Sequence, residues 1–266
     1  MPYLQIDEFR LYYEVQGSGP AVVFLHGAGG NHLSWWRQIP HFSRDYTCIT
    51  LDQRAFGLSV DVPEGPGRRA FGSDLKTLLD HLGIGDVALV AHSMGGRTAA
   101  GFILRAQDRA ERRVWALVLS GTHGGVVTPT SRELQQQMRE LANGRSLRER
   151  ALSPSFVSSQ PELAYLYSQI GRLNPRRPED FLAPIPGYLG TTRDAFAERR
   201  LPVLFVTGTE DEVMSPQAIR IAAETLPGAR LAEIAGAGHS AYFERPEEFN
   251  EAVAGFLAEH STSPRA

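Results

Sequence analysis

Short apolar runs recur along this chain, and polar segments with a helical period separate most of them. Apolar runs of this length, bounded by turn residues, are typical of buried β-strands. The pattern predicts strands at Tyr3–Ile6, Arg10–Val15, Ala21–Leu25, Thr47–Leu51, Asp86–Ala91, Val114–Leu119, Val203–Thr207 and Arg230–Ile234. A short polar turn joins the first two strands, so we expect the sheet to begin with an antiparallel pair.

Helical periodicity is clearest in two segments. Apolar residues share one face at Phe71, Leu75, Leu78, Leu79 and Leu82, and another at Phe249, Val253, Phe256 and Leu257. Such stripes predict helices that pack on a sheet. Because strands alternate with helices, the strands are expected to pair in parallel through crossover connections. We therefore predict an α/β fold with about eight mostly parallel strands flanked by helices.

One connection is much longer than the others. About eighty residues separate Leu119 from Val203, far more than one crossover helix requires. Within it, Leu134, Met138 and Leu141 keep helical spacing, while prolines interrupt that spacing repeatedly. We interpret residues 124–198 as a small helical cap, and residues 1–123 and 199–266 as the core of the α/β domain.

The composition is that of a globular protein with a large core. The 266 residues are 42% hydrophobic and 21% charged, with a formal net charge of −3. This charge favours binding to neither nucleic acid nor an anionic membrane. We find no basic segment followed by an apolar one at the start and no apolar run of about 18 residues, so we expect a cytoplasmic protein. Cys48, the single cysteine, lies in an apolar run and is expected to be a buried small side chain.

The segment Val90–Gly96 places a serine between a predicted strand and a segment able to form a helix. Small residues, Ala91 and Gly95, stand two positions before and after Ser93. They suit a tight strand-to-helix turn, in which the strand end and the helix start approach closely. Such a turn exposes the serine hydroxyl as a nucleophile. A serine that only caps a helix gives the same local pattern, so its partners must decide between the two interpretations.

A nucleophilic serine needs a base for its proton and a carboxylate that holds the base in the right tautomer. Two residues that follow predicted strands meet this need: Asp211 after Val203–Thr207, and His239 after Arg230–Ile234. Both are expected to face Ser93. Glu210 and Glu212 are rivals to Asp211, and we expect them to be solvated.

The chain order Ser93, Asp211, His239 resembles that of the α/β-hydrolase superfamily. The resemblance covers nearly the whole length, because His26-Gly27, Asp52–Gly57 and residues 238–249 carry further motifs of that family. Ala91 and Ala55 depart from the pattern, since the family more often has glycine at both positions.

The resemblance implies an oxyanion hole made of backbone N–H groups, from Ala28 in the loop after the third strand and from Met94 just after the nucleophile. It also implies that His26 shapes that loop. His92 adjoins the nucleophile and is expected to point away from it.

The sequence gives little support for a nucleotide site or a metal site. The glycines of Gly27–Gly30 follow a strand, as in dinucleotide sites, but the third glycine of G-x-G-x-x-G is missing. No nucleotide-binding P-loop pattern occurs, and no histidines or cysteines have metal-ligand spacing. We expect no metal and no cofactor.

Four residues near the motifs are candidates for substrate contact: Trp35, Trp36, His123 and Tyr242. The aromatic residues Phe156, Tyr165 and Tyr188 are further candidates for an apolar pocket wall. Together they favour a small-molecule substrate with an apolar acyl or ring group.

The predicted cap contains arginines such as Arg172 and Arg176. A substrate that carries a carboxylate is therefore also an alternative. The expected activity is that of a serine hydrolase acting on a carboxylic ester or lactone. A carbon–carbon bond hydrolase or a perhydrolase with the same triad, and a hydrolase-like protein that senses a ligand for signalling, are the alternatives.

Overall fold

A computed structural model describes residues 2–105, 114–183 and 192–261. Their strands form one eight-stranded sheet with the order β1-β2-β4-β3-β5-β6-β7-β8. The strands are β1 (Tyr3–Ile6), β2 (Phe9–Gln16), β3 (Ala21–Leu25), β4 (Thr47–Leu51), β5 (Val87–His92), β6 (Val114–Ser120), β7 (Val203–Gly208) and β8 (Arg230–Ile234). The predicted fold class is confirmed, and each predicted strand lies within two residues of its observed bounds.

The most buried strands of the sheet are parallel ones. β2 pairs antiparallel with both β1 and β4, whereas β3 to β8 run parallel to one another. β3, β5 and β7 are buried at every position, because helices cover both faces of the parallel part of the sheet. Cys48 is buried in β4, as expected, and burial raises the pKa of its thiol to about 12.

Helices cover the two faces with separate apolar clusters. The helices are α1 (Ile39–Phe42), α2 (Phe71–His81), α3 (Met94–Arg105), α4 (Pro129–Leu141), α5 (Leu147–Arg150), α6 (Pro154–Ser159), α7 (Pro161–Arg172), α8 (Thr192–Glu198), α9 (Pro216–Thr225), α10 (Ala241–Glu244) and α11 (Pro246–His260). Apolar residues of α2, α3 and α9 cover one face, and those of α1 and α11 cover the other. Within the described ranges, no helix combines the length and apolar character needed to cross a bilayer.

Helices α4 to α8 lie between β6 and β7, in the stretch interpreted above as a cap. Pro129, Pro154 and Pro161 each stand at the start of a helix. Proline is favoured there, because the first helical N–H has no partner and the fixed φ suits the helix. The prolines that interrupt helical spacing therefore divide this stretch into short helices. The domain boundaries at 124 and 198 remain a prediction.

Two asparagines fasten this stretch to the core. Asn31 Nδ2 donates to the carbonyl of Ile170 in α7, at 2.8 Å. Asn174 Nδ2 donates to the Gly30 carbonyl at 3.2 Å, and its Oδ1 accepts from the Gly57 N–H at 2.9 Å. α7 is thereby held over the loops that follow β3 and β4. Those loops leave the carboxyl edge of the sheet, where ligand sites of open α/β sheets lie.

Candidate active site

Ser93 occupies the sharp turn between β5 and α3. Its φ is 50°, in the left-handed region, and its backbone N–H donates to the Ser120 carbonyl at 2.8 Å. Two residues later, a Cβ added to Gly95 would lie 2.3 Å from the Leu25 carbonyl oxygen. This contact bears out the close approach expected of the turn, so the local strain is held in place by packing of α3 against β3.

Two side chains from neighbouring strand ends extend a line of hydrogen bonds from Ser93. Nε2 of His239 lies 2.9 Å from Ser93 Oγ, and Nδ1 of His239 lies 2.8 Å from Asp211 Oδ2. Asp211 and His239 are each 2% exposed, whereas the serine is half-buried and faces a cavity. The structure brings together the three residues that the sequence singled out. Glu212 lies outside this arrangement, where its carboxylate binds Arg145.

A buried carboxylate supports the loop that carries His239. Glu244 Oε1 accepts from the Gly238 N–H at 3.0 Å, and Oε2 accepts from the backbone N–H and hydroxyl of Ser153 at 3.0 and 2.7 Å. Burial raises the pKa of Glu244 above its ordinary value, against the lowering effect of these hydrogen bonds. Sequence reasoning missed this residue. The signal available was an acidic residue directly after the short apolar segment Ala241-Tyr-Phe243.

The ring of His92 lies against His239, the candidate base. Its ring centroid is 4.8 Å from that of His239 and 4.8 Å from that of Tyr242, and its Nδ1 lies 3.1 Å from the Ser120 carbonyl oxygen. Burial lowers the pKa of His92 well below 6.5, and the nearby His239 lowers it further. His92 is therefore a neutral packing partner of His239, and its expected direction away from Ser93 stays a prediction. Its ring occupies the space that Gly27 leaves open, since a Cβ there would lie 2.7 Å from His92 Cδ2.

The two residues proposed for the oxyanion hole come from the start of α3 and from the loop after β3. Met94 is the first residue of α3, and the N–H groups of a first helical turn have no partner within the helix. Its side chain is buried against Phe56 and Phe71. Ala28 lines the cavity beside Ser93. Their role as donors to an oxyanion stays a prediction.

His26 holds the loop that contains Ala28. Its Nδ1 lies 2.8 Å from the Gly27 carbonyl oxygen, and its Nε2 accepts from the Gln53 N–H at 3.0 Å. This pairing requires a neutral ring with the proton on Nδ1. Burial lowers the pKa of His26 to about 4, which agrees with a neutral ring.

Of the four residues predicted to contact substrate, the structure brings only Tyr242 to the cavity. Trp35 is fully buried, because its short 3-10 turn directs the ring towards Phe24 and Tyr242, with centroids 5.4 and 4.7 Å away. Trp36 is exposed on the surface, beside Arg37.

The remaining candidates lie elsewhere as well. His123 lines a separate depression formed with α4. Phe156 is buried in the core and Tyr165 is exposed on α7. Tyr188 lies outside the described residues. The aromatic residue of α7 that does line the cavity is Tyr167, whose hydroxyl is 2.7 Å from Ser240 Oγ.

The cavity beside Ser93 has a volume of about 200 Å³. Its inner side is formed by the loop Gly27–Gly30 together with Ser93 and His239, and its outer side by residues between Leu147 and Leu182. The stretch between β6 and β7 thus covers the serine. Arg172 and Arg176, the arginines considered from the sequence, do not line this cavity.

The part of the chain that the structure describes contains no group of three or more His, Cys, Asp or Glu residues arranged to hold a metal ion. The cavity presents the Ser93 hydroxyl and the His239 imidazole, and the buried Asp211 carboxylate continues their hydrogen-bonded series behind His239. This arrangement is suited to moving one proton between the serine and a reacting group.

Comparison with known proteins agrees with the fold. A family model of the alpha/beta hydrolase fold matches residues 20–246. 3-Oxoadipate enol-lactonase 2 of Acinetobacter baylyi is 26% identical over 90% of this chain and 88% of its own. Est816, an N-acyl homoserine lactone degrading enzyme, is 26% identical with a TM-score of 0.75, over 96% of this chain and 100% of its own.

A thermophilic esterase from Thermogutta terrifontis, solved with malate bound, is 25% identical with a TM-score of 0.75 and covers 95% of each chain. These similarities extend across nearly the whole chain, including the residues on both sides of the cavity. The family model alone spans most of the sequence. The chain therefore belongs to the alpha/beta hydrolase fold family.

Proposed function

We propose that the protein is a serine hydrolase that cleaves a small carboxylic ester or lactone through Ser93, His239 and Asp211. The observation that carries the proposal is the pair of contacts at His239, 2.9 Å to Ser93 Oγ and 2.8 Å to Asp211 Oδ2. Similarity to a lactone-degrading enzyme, an enol-lactonase and an esterase supports the same bond type.

In the first step, Ser93 Oγ attacks the substrate carbonyl carbon while His239 Nε2 accepts the serine proton. The carbonyl electron pair moves to oxygen, and the N–H groups of Ala28 and Met94 donate hydrogen bonds to this oxyanion. Asp211 keeps the proton of His239 on Nδ1 and stabilises the imidazolium that forms.

Collapse of this intermediate breaks the bond to the alcohol oxygen, which takes the proton from His239 and leaves an acyl group on Ser93. Water then attacks the acyl carbon and gives one proton to His239. The second collapse releases the carboxylic acid and returns the proton to Ser93. With a lactone, the alcohol and the acid remain in one molecule.

Residues 124–198 act as a cap in this proposal. They supply the outer side of a cavity that, at about 200 Å³, is smaller than the pockets of about 300–1,000 Å³ that hold drug-sized ligands. A short acyl or alcohol part suits this space better than a long chain.

The test is hydrolysis of a short p-nitrophenyl ester, a simple lactone and a vinylogous diketone by wild type and Ser93→Ala. We expect ester or lactone turnover, and a loss of about 10⁴-fold or more in Ser93→Ala. Ser158→Ala, which removes an exposed hydroxyl on α6, is the control. A fluorophosphonate should label wild type at Ser93. Equal turnover by wild type and Ser93→Ala would refute the proposal.

A further inference from the structure

The charged side chains that line the cavity beside Ser93 are of one sign. Arg148 and Arg177 line it, and no Asp or Glu stands among the described lining residues. Asp211 lies behind His239 and is buried. We propose that Arg177 binds a carboxylate of the substrate, so that the preferred ester or lactone carries a second, anionic group. This inference rests on the proposed function and names its substrate class.

Arg177 has no acidic partner among the described residues, in contrast to the buried Arg54. Arg54, which is buried, binds both Asp61 and Asp74 at 2.9 and 2.8 Å. In the described residues Arg177 instead donates from Nη1 to the Ala55 carbonyl at 3.1 Å, and its Cζ lies 4.0 Å from the ring centroid of Phe56. A guanidinium has five N–H donors, so most of those on Arg177 remain for a ligand.

The surroundings of Arg177 make a ligand anion favourable. The residue is only half-exposed, and burial lowers the pKa of its guanidinium. A cation that loses water without gaining a counter-charge is held at a cost. A bound carboxylate supplies that charge and accepts two parallel hydrogen bonds from the planar guanidinium.

The segment that carries Arg177 is also fixed in place before any ligand binds. Asn174 joins it to the Gly30 carbonyl on one side and to the Gly57 N–H on the other. The guanidinium itself lies on Phe56, which is fully buried. The Arg177 side chain has little conformational freedom left to lose on binding. The fixed position of its guanidinium can therefore select how far the substrate carboxylate lies from the ester or lactone group.

Arg148 is the second arginine that lines this cavity. It is exposed and lies in α5. An exposed charge of this kind adds long-range attraction for anions, which salt screens. Arg177 is therefore the residue assigned to carboxylate recognition.

The experiment compares matched pairs of esters, one pair for each of three chain lengths, on each enzyme preparation. The monomethyl esters of succinate, glutarate and adipate carry a terminal carboxylate, and the corresponding ester amides replace it with an uncharged group of the same shape. At one of the chain lengths, wild type is expected to have a higher kcat/KM for the ester that carries the carboxylate than for its amide. In Arg177→Gln the ratio of the two kcat/KM values should fall about 10- to 100-fold, mainly through KM.

The ratio is measured on one preparation, so incomplete folding of the variant does not affect it. Arg177→Lys keeps the charge but not the planar pair of donors and should give an intermediate ratio. Arg176→Gln removes the neighbouring exposed arginine, which does not line the cavity, and should leave the ratio unchanged. An equal ratio in wild type and Arg177→Gln would overturn the assignment.

A binding measurement separates this inference from the proposed function. Calorimetric titration of Ser93→Ala with glutarate or adipate, at fixed ionic strength, should show binding. In the double variant Ser93→Ala/Arg177→Gln the dissociation constant should rise about 10- to 100-fold. Binding that depends on Arg177, together with turnover that does not depend on Ser93, would reject the serine mechanism alone. Turnover that depends on Ser93, with no effect of Arg177 on binding or on the ratio, would reject the carboxylate site alone.

Discussion

Nδ1 of His239 lies 2.8 Å from Oδ2 of Asp211, and the other oxygen of this carboxylate accepts the N–H groups of Val213 and Met214 at 2.7 and 2.8 Å. A carboxylate oxygen only accepts, so Nδ1 carries the ring proton. Nε2 is then the acceptor that faces Ser93 Oγ at 2.9 Å. The fixed carboxylate therefore decides which nitrogen can remove the serine proton.

We predict that Asp211→Asn lowers kcat on a short ester by about 10⁴-fold, although the amide has nearly the shape of the carboxylate. Its oxygen can still accept from Val213 and Met214, which leaves its NH2 group facing His239. That group would donate to Nδ1, so the ring proton would move to Nε2 and the serine could not be deprotonated.

Steady-state kinetics provide the measurement. Glu212→Gln changes an adjacent carboxylate that binds Arg145 instead, and it should alter kcat by no more than about twofold. Similar losses in both variants would mean that general negative charge, and not the tautomer of His239, matters.

Gly95→Ala is expected to destabilise the protein by about 2–4 kcal/mol, because its Cβ would lie 2.3 Å from a backbone carbonyl of β3. Neither the start of α3 nor a central strand can move without disturbing the sheet. Gly255→Ala is the matched control, since nothing lies within 4 Å of its Cβ and α11 has no need of a glycine there.

Urea unfolding measures both variants. Gly255→Ala should raise the free energy of unfolding by about 0.5–1 kcal/mol, as expected for alanine in a helix interior. A free energy of unfolding unchanged in Gly95→Ala would contradict the close approach of α3 and β3.

The sheet could be predicted from sequence because its parallel strands are buried on both faces. Val87–His92 and Val203–Gly208 are almost wholly apolar, and they leave a continuous signal bounded by turns. The two residues expected beside Ser93 were predictable for a related reason. Asp211 and His239 follow strands whose carboxyl ends share one edge of the sheet.

The outer side of the site could not be predicted in this way. Arg177 and Tyr167 reach the cavity through contacts between segments distant in sequence, and local periodicity carries no information on such contacts. Trp35 shows the converse limit. It follows the candidate oxyanion loop closely, but its 3-10 turn directs the ring into the core, which spacing alone does not reveal.

His26 leads to a prediction on pH. Burial lowers its pKa from 6.5 to about 4, so the unfolded chain binds this proton more readily than the native state. The contribution of His26 to stability is therefore complete above about pH 6.5 and is lost as the pH falls towards 4, with a slope of up to about 1.4 kcal/mol per pH unit.

Urea midpoints measured between about pH 7 and pH 4.5 test this slope. His26→Gln should reduce the slope, and His81→Gln, which removes an exposed imidazole, is the control. Nitrogen-15 spectra of the wild-type ring should show the proton on Nδ1 across this range. Titration of His26 near its ordinary pKa would contradict the prediction.

Glu244 should act on catalysis through the position of His239. Its two oxygens fasten Gly238, the residue before His239, to Ser153 at the start of α6. Glu244→Ala leaves two buried backbone N–H donors, of Gly238 and Ser153, without an acceptor, and we expect a loss of about 3 kcal/mol or more in the free energy of unfolding. Because the loop loses its attachment, kcat on a short ester should also fall by about 10- to 100-fold.

Both quantities are measured at a temperature where the variant is fully folded. Glu251→Ala, which truncates an exposed acid on α11, should change neither. Glu244→Gln keeps one acceptor oxygen and should recover part of kcat, a rescue that separates positioning from general loss of stability. If kcat in Glu244→Ala stays at the wild-type value while stability falls, the carboxylate supports the fold but does not position His239, since a displaced imidazole could not keep its 2.9 Å contact with Ser93 Oγ.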